Sequence, residues 1–217
     1  MAIIIWIIAF VVAITVHEAS HAYMADRLGD NTARMMGRLS LNPLVHYDPV
    51  GTTLLLVLVL LRAIGVPVIP FGWAKPVRFD PYNLKNPRRD SALISFAGPL
   101  ANLILAAFLS IILRIAISPI SPFAILSFVL SPMILLNVVL AVFNLLPIHP
   151  LDGGKILVGL LPEESAYEAD MFLRQYGTII LIFLIFPTFG GVSPVSMVIS
   201  PLLNLVLKIL LPSYPII

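Results

Sequence analysis

Apolar residues in this chain come in long runs separated by polar segments. The first run spans Ala2 to Val16 and continues with interruptions to about Met24. At about 1.5 Å per residue, residues 2–25 reach across a bilayer core of about 30 Å, so this run predicts a transmembrane helix. A secretory leader would need a positive flank ahead of the run, and no Lys or Arg precedes Arg27. Residues 26–50 are mixed and carry Arg27, Arg34 and Arg38. A second apolar stretch, Leu54 to Ile69, contains Arg62, Gly65 and Pro67 and stops at Pro70. Residues 71–90 are the most basic, with Lys75, Arg78, Lys85, Arg88 and Arg89 opposed only by Asp80 and Asp90. From Ser91 to Leu151 the only charged side chain is Arg114, and Pro119 and Pro122 divide the stretch into spans near 91–117 and 123–146. Residues 152–175 are polar. Two apolar runs follow, at about 176–187 and 195–211, separated by Pro187, Gly190, Gly191 and Pro194. No 20–50-residue repeat is visible. The pattern predicts an all-α polytopic membrane protein with about five transmembrane helices.

Composition agrees. Hydrophobic residues are 59% of the 217, and charged residues 11%, less than half the quarter usual in soluble domains. Thirteen basic and eleven acidic side chains cannot cover a globule of this size, so the main solvent is lipid. A soluble enzyme, a nucleic-acid-binding domain and a disordered tail are excluded. The net charge of +2 singles out no acidic partner. Without cysteine there is no disulfide framework and no thiolate metal site. A transition metal would need His, Asp or Glu, and the histidines are His17, His21, His46 and His149.

Residues 17–21 read His-Glu-Ala-Ser-His, an HExxH pattern. On a helix, positions i and i+4 share a face. His17 and His21 so placed can hold one Zn²⁺, while Glu18 takes a proton from a metal-activated water. The plainer reading is a pair of core histidines beside a stray glutamate. An ionisable residue near the bilayer centre costs about 2.5–3.5 kcal/mol and usually marks function, and a metal would give all three groups a partner. A third protein ligand must then come from elsewhere in the chain. Asp152 is the candidate, within Asn144-Leu-Leu-Pro147-Ile-His149-Pro150-Leu151-Asp152-Gly153-Gly154 at the end of the fourth apolar stretch. The glycines would let the backbone turn sharply beside it. Alone, Asp152 would read as a turn residue, since Asp-Gly is a strong turn dipeptide.

These residues resemble the site-2 protease family of intramembrane zinc metalloproteases. His17-Glu18-x-x-His21 matches the family's first motif, and Asn144-x-x-Pro147 followed by Leu151-Asp152-Gly153 matches its second. Gly98-Pro99-Leu100-Ala101-Asn102 resembles the opening of its middle core helix. Leu41-Asn42-Pro43, His46, Asp48-Pro49, Gly51 and Phe71-Gly72-Trp73-Ala74-Lys75-Pro76-Val77 resemble its small bacterial members. The resemblance implies a minimal member: one membrane-embedded protease domain over 1–217, with its core in 1–160 and further helices within 176–211. No PDZ or nucleotide-sensing domain is expected. His149 matches no ligand position of the family.

The site constrains topology independently. For His21 and Asp152 to reach one metal, the helices that end near them must run in the same direction. The helix at 91–117 must run the other way, and residues 26–50 and 71–90 must share one side of the membrane. Those segments hold eight of the thirteen Lys and Arg, so that side is cytoplasmic and the expected location is the cell (inner) membrane. Residues 51–70 are then expected to form a re-entrant or membrane-associated hairpin rather than a crossing, and the resemblance implies β-structure (a β-hairpin segment) there. Such backbone is tolerated at membrane depth only against protein or a cavity, and an unpaired strand there would suit an unwound substrate.

The expected chemistry is Zn²⁺-assisted peptide hydrolysis, with His17, His21 and Asp152 as ligands and Glu18 as general base. Asn102 and Asn144 are candidates for a hydrogen bond to the oxyanion or to substrate backbone, with interhelical bonding as the alternative. The resemblance implies a transmembrane protein as substrate; the other partner is the lipid bilayer, and no nucleic acid is involved. A metal-ion transporter would explain the buried histidines but predicts ligands spread along a path and leaves Glu18 without a role. An inactive metal-binding scaffold is the other alternative.

Overall fold

The computed structural model describes residues 2–63, 65–66, 75–117, 123–186 and 193–211. The first apolar run is one helix, α1 (Ala2–Arg27). A short α2 (Thr32–Met35) and α3 (Gly51–Ala63) follow. Then come α4 (Pro87–Ala116), α5 (Ser127–Asn144), α6 (Asp152–Leu160), α7 (Glu163–Ile185) and α8 (Pro194–Leu210). Among the described residues there is no strand.

Three helices are long and apolar enough to cross a membrane: Ile3–Arg27, Pro87–Ala116 and Ala124–Asn144. The last two apolar runs are also helical, but differently from the expectation. The run at 176–187 is the later half of α7, whose first half is polar, and α8 has only 17 residues. In the segment expected to be re-entrant or a β-hairpin, residues 51–63 form a helix rather than a strand. At about 1.5 Å per residue, thirteen residues reach about 20 Å, too short to cross alone. Residues 67–74 lie outside the described residues.

The helix α4 is the hub. Small side chains on α1 (Ala9, Ala13, Ala22 and Ala25) are buried and let α4 approach closely, as membrane helices do when no water drives them together. On its other face, Ala106, Leu109 and Leu113 pack with Ile134, Val138 and Val142 of α5 and Leu207 of α8. The end of α8 is tied to α4 by polar bonds. The Ser110 hydroxyl donates to Leu210 O, and the Arg114 guanidinium donates to Ile209 O at 2.5 Å. These satisfy carbonyls that the helix end leaves without intrahelical donors.

Just past α1, Gly29 adopts φ 107°, a left-handed turn that glycine makes without strain. It delivers Asp30, fully buried, to the segment before α4. The Asp30 carboxylate accepts from Thr32 N–H (3.2 Å), Thr32 Oγ1 (2.5 Å), Asn83 Nδ2 (2.8 Å) and Asp80 N–H (2.9 Å). Burial alone would raise its pKa, but these donors outweigh burial and hold it below 3.8. A carboxylate with a lowered folded value adds stability in full above its unfolded pKa and loses it as pH falls through the folded value. Asp30→Asn should therefore lower Tm at pH 7, yet its Tm should fall less steeply than the wild type's below about pH 4. Thermal unfolding in detergent across pH 3–7 checks this, and parallel curves would refute it.

Candidate metal centre

The HExxH pattern lies on the last turns of α1, facing α4. His17 and His21 are nearly buried, at 4% and 7% exposure. Each ring is fixed by a bond at Nδ1: His17 donates to Asn102 Oδ1 (2.7 Å), and His21 donates to the Ile94 carbonyl (2.7 Å). The Ile94 carbonyl can only accept, so the His21 proton sits on Nδ1. Asn102 is oriented by the same logic. Its Nδ2 donates to the Ala13 carbonyl (2.9 Å) and to Asn137 Oδ1 (2.7 Å), which leaves its oxygen for His17. Both imidazoles therefore present Nε2, with its lone pair, in one direction.

Asp152 meets them there. Its Oδ2 lies 3.1 Å from His17 Nε2 and 3.2 Å from His21 Nε2. Zinc bonds of about 2.0–2.1 Å in a tetrahedral site separate ligand atoms by about 3.3 Å, so the three atoms fit one ion. Among the described residues, this is the only such group of His, Asp and Glu. The partners of each residue show α1 and α5 running parallel and α4 antiparallel. Moving from His21 back to Ala13, the α4 partner shifts from Ile94 to Asn102. Asn102 in turn meets Asn137, one to two turns before the end of α5.

Asp152 opens α6, where a helix N-terminus favours a carboxylate. The glycines beside it act differently from the expectation. Gly153 and Gly154 are helical, so what they permit is close approach. A Cβ on Gly153 would stand 2.1 Å from the Leu146 carbonyl oxygen, and one on Gly154 3.1 Å from His149 N. Gly98 has the same function on α4, directly beneath the two imidazoles.

Glu18 points beside this trio. Its Oε2 accepts the Val77 N–H at 2.9 Å, which joins α1 to the extended segment before α4. A cavity of about 150 Å³ is lined by His17, Glu18, His21, Asn144, Asp152 and Lys155, among others. A water occupies about 30 Å³, so there is room for an ion with several waters.

The two asparagines separate. Asn144 lines the cavity, and its Nδ2 donates to Leu140 O at 2.9 Å. Asn102 is fully buried with both N–H groups engaged between helices, so it is placed to orient His17 rather than to face substrate. Asn137 and Lys155 were not singled out from the sequence, and Val77 only as the end of the motif at residues 71–77. Asn137 carried one signal, a polar side chain inside an apolar run. His46 is buried in the loop, its Nε2 donating to Ser40 O and its carbonyl accepting from Lys75 N, and His149 stands outside the trio.

The model of peptidase family M50 matches residues 5–124 and 114–186. YwhC of Bacillus subtilis, provisionally named a zinc metalloprotease, is 38% identical over 205 residues, 91% of this chain and 85% of its own. Rip2 of Mycolicibacterium smegmatis, named in the same provisional way, is 33% identical over 84% of this chain and 66% of its own. The zinc metalloprotease MJ0392 of Methanocaldococcus jannaschii is 26% identical over 76% of this chain and 37% of its own. No solved structure matches the chain significantly.

Proposed function

The chain belongs to peptidase family M50, and from that premise we propose that His17, His21 and Asp152 hold one Zn²⁺ and that Glu18 handles the proton of peptide hydrolysis. Membership makes it a site-2-type intramembrane zinc metalloprotease. The observation that carries the residue roles is the convergence of two Nε2 atoms on Asp152 Oδ2, with both Nδ1 atoms already bonded.

When bound, Zn²⁺ supplies Lewis-acid polarisation of the scissile carbonyl and lowers the pKa of a water towards about 7. The Glu18 carboxylate would take a proton from the attacking water and return it to the leaving amine. The Val77 N–H holds the carboxylate in orientation for this task. Asn144 has one N–H on Leu140 O, and its second serves the developing oxyanion. Asn102 fixes the ring and tautomer of His17, as outer partners of metal-bound histidines do.

The substrate is a transmembrane segment of another protein, locally unwound so that its peptide bond is accessible. The basic segments 26–50 and 75–90 lie on the cytoplasmic side of the cell membrane, and the cavity opens there. Residues 51–63 return to that side without crossing, and α7 and α8 complete about five membrane helices in one domain.

Purified protein in detergent should cleave a model transmembrane substrate, lose cleavage on chelation and regain it with one equivalent of Zn²⁺. Cleavage that persists in metal-stripped protein would refute the reading. Outer partners of metal-bound histidines are worth about 10–100-fold in metal affinity. Asn102→Leu should therefore weaken Zn²⁺ binding by about that factor, and Asn137→Leu by less, because Asn102 keeps the Ala13 carbonyl. Competition titration with a zinc indicator reads both. Wild-type affinity in Asn102→Leu would remove the positioning role.

A further inference from the structure

Beside the catalytic cavity lies a much larger cleft of about 1310 Å³. One wall is the extended segment from Pro76 and the first turn of α4, and the other is α6 with the start of α7. The two spaces adjoin, since Pro76, Val77, Phe79 and Lys155 line both. Lys155 stands at the neck, its Nζ 4.7 Å above the Phe79 ring.

The charges on this cleft are not matched to each other. Arg174 is paired with Asp170 at 2.8 Å. Among the described residues, Arg78, Arg88, Arg89 and Lys155 have no carboxylate within 4.0 Å. The remaining acids on the cleft are Glu163 and Glu164. These sit in the first turn of α7, where a helix dipole favours them. Arg88 and Arg89 occupy the second and third positions of α4, where the dipole opposes them. The acid of that turn, Asp90, is already bonded to the Asn86 N–H. Membrane orientation accounts for arginines on this side of the protein. It does not account for their meeting Lys155 on one cleft that adjoins the candidate metal centre.

We propose that this cleft seats an extended acidic stretch of the substrate polypeptide flanking its transmembrane segment, with Lys155 at the neck engaging the acidic side chain nearest the scissile bond. This rests on the protease reading: a chain whose scissile bond lies beside Glu18 continues past Lys155 into the cleft.

The test uses three model transmembrane substrates that differ only in a six-residue flank: Glu-rich, Gly/Ser, or Lys-rich. Wild-type protein should cut them in that order, with about tenfold between the extremes, expressed in KM rather than kcat and shrinking at high salt. Arg88→Glu with Arg89→Glu should invert the order at unchanged zinc content. Arg88→Gln with Arg89→Gln should flatten it, and Lys155→Met should weaken the acidic preference without inverting it. Equal cleavage of all three flanks, or a preference that survives charge reversal, overturns the proposal. So does a common response of all three substrates to phosphatidylglycerol content without discrimination among flanks, which would assign the cleft to lipid headgroups. If wild-type protein cuts none of them, the protease reading fails separately, and the cleft is judged by fluorescence anisotropy with soluble Glu-rich and Lys-rich peptides. Selective binding of the acidic peptide that reverses in the double Glu variant upholds it, and binding without selectivity overturns it.

Discussion

Glu18→Gln should lose about 10²–10⁴-fold in peptide cleavage, the usual contribution of a positioned acid–base group, while keeping its zinc. The proposed ligand atoms come from His17, His21 and Asp152, so the substitution leaves those donors in place. Glutamine has the same shape, and its amide oxygen can still accept the Val77 N–H that Glu18 accepts at 2.9 Å. The segment before α4 therefore keeps its anchor. What is lost is a carboxylate able to take a proton. Cleavage rates and zinc content measured on the same preparation separate the two effects. Activity within tenfold of wild type would show that another group moves the proton. Loss of zinc together with activity would make Glu18 structural.

The second large effect comes from a residue with no side chain. Gly98→Ala places a Cβ 2.5 Å from His21 Nε2, 2.6 Å from His21 Cε1 and 2.8 Å from His17 Cε1. By propensity alone, alanine inside a helix is better than glycine by about 1 kcal/mol. Sterics decide against it here, because overpacking costs about 1–3 kcal/mol and the displaced atom is itself a proposed metal donor. His21 cannot simply swing aside, since its Nδ1 is held on Ile94 O. Either the rings turn or α4 moves away from α1, and both separate Nε2 from Asp152. Zinc affinity should fall by about 100-fold, the upper end of the range for disturbed outer partners. Gly159→Ala serves as the control. Its Cβ would meet Ala92 Cβ at 2.3 Å, a clash about two turns along α6 from Asp152, so it should lower stability with a much smaller loss of zinc affinity than Gly98→Ala. Gly98→Ala protein that binds zinc as tightly as wild type would refute the argument.

Both predictions involve the HExxH helix, but only the first was readable along the chain. The spacing of His17 and His21 shows their shared face, because helix geometry is local. Asp152 is legible as a candidate because a two-histidine site lacks a ligand and the chain has few acids at apolar positions. Gly98 gave no sign of steric necessity, since a glycine in an apolar run also reads as a packing residue or a break. Asn102 and Asn144 are both legible as candidates for substrate contact, with interhelical bonding as the alternative. In the structure, the Ala13 carbonyl and Asn137 turn Asn102 towards His17, while Asn144 remains on the cavity. Along the chain the stretch before residue 176 reads only as polar; in the structure it ends as the first half of α7. The acids at its start are compatible with helix and suited to its N-terminus.

The residue sequence alone determined that lipid is the main solvent, that long helices cross it, and that His, Glu and Asp are the available metal chemistry. Composition and helical period act within one segment and need no knowledge of neighbours. Tertiary structure decided which nitrogen of each histidine faces Asp152, which asparagine orients His17, and why residue 98 must lack a side chain. Each depends on a donor, acceptor or surface from another helix, 73 to 89 residues away in the bonds that hold the two imidazoles and Asn102 to their partners on α1 and α4. Hydrogen bonds are directional and atoms exclude one another within a few tenths of an ångström. Such choices exist only once the helices are packed.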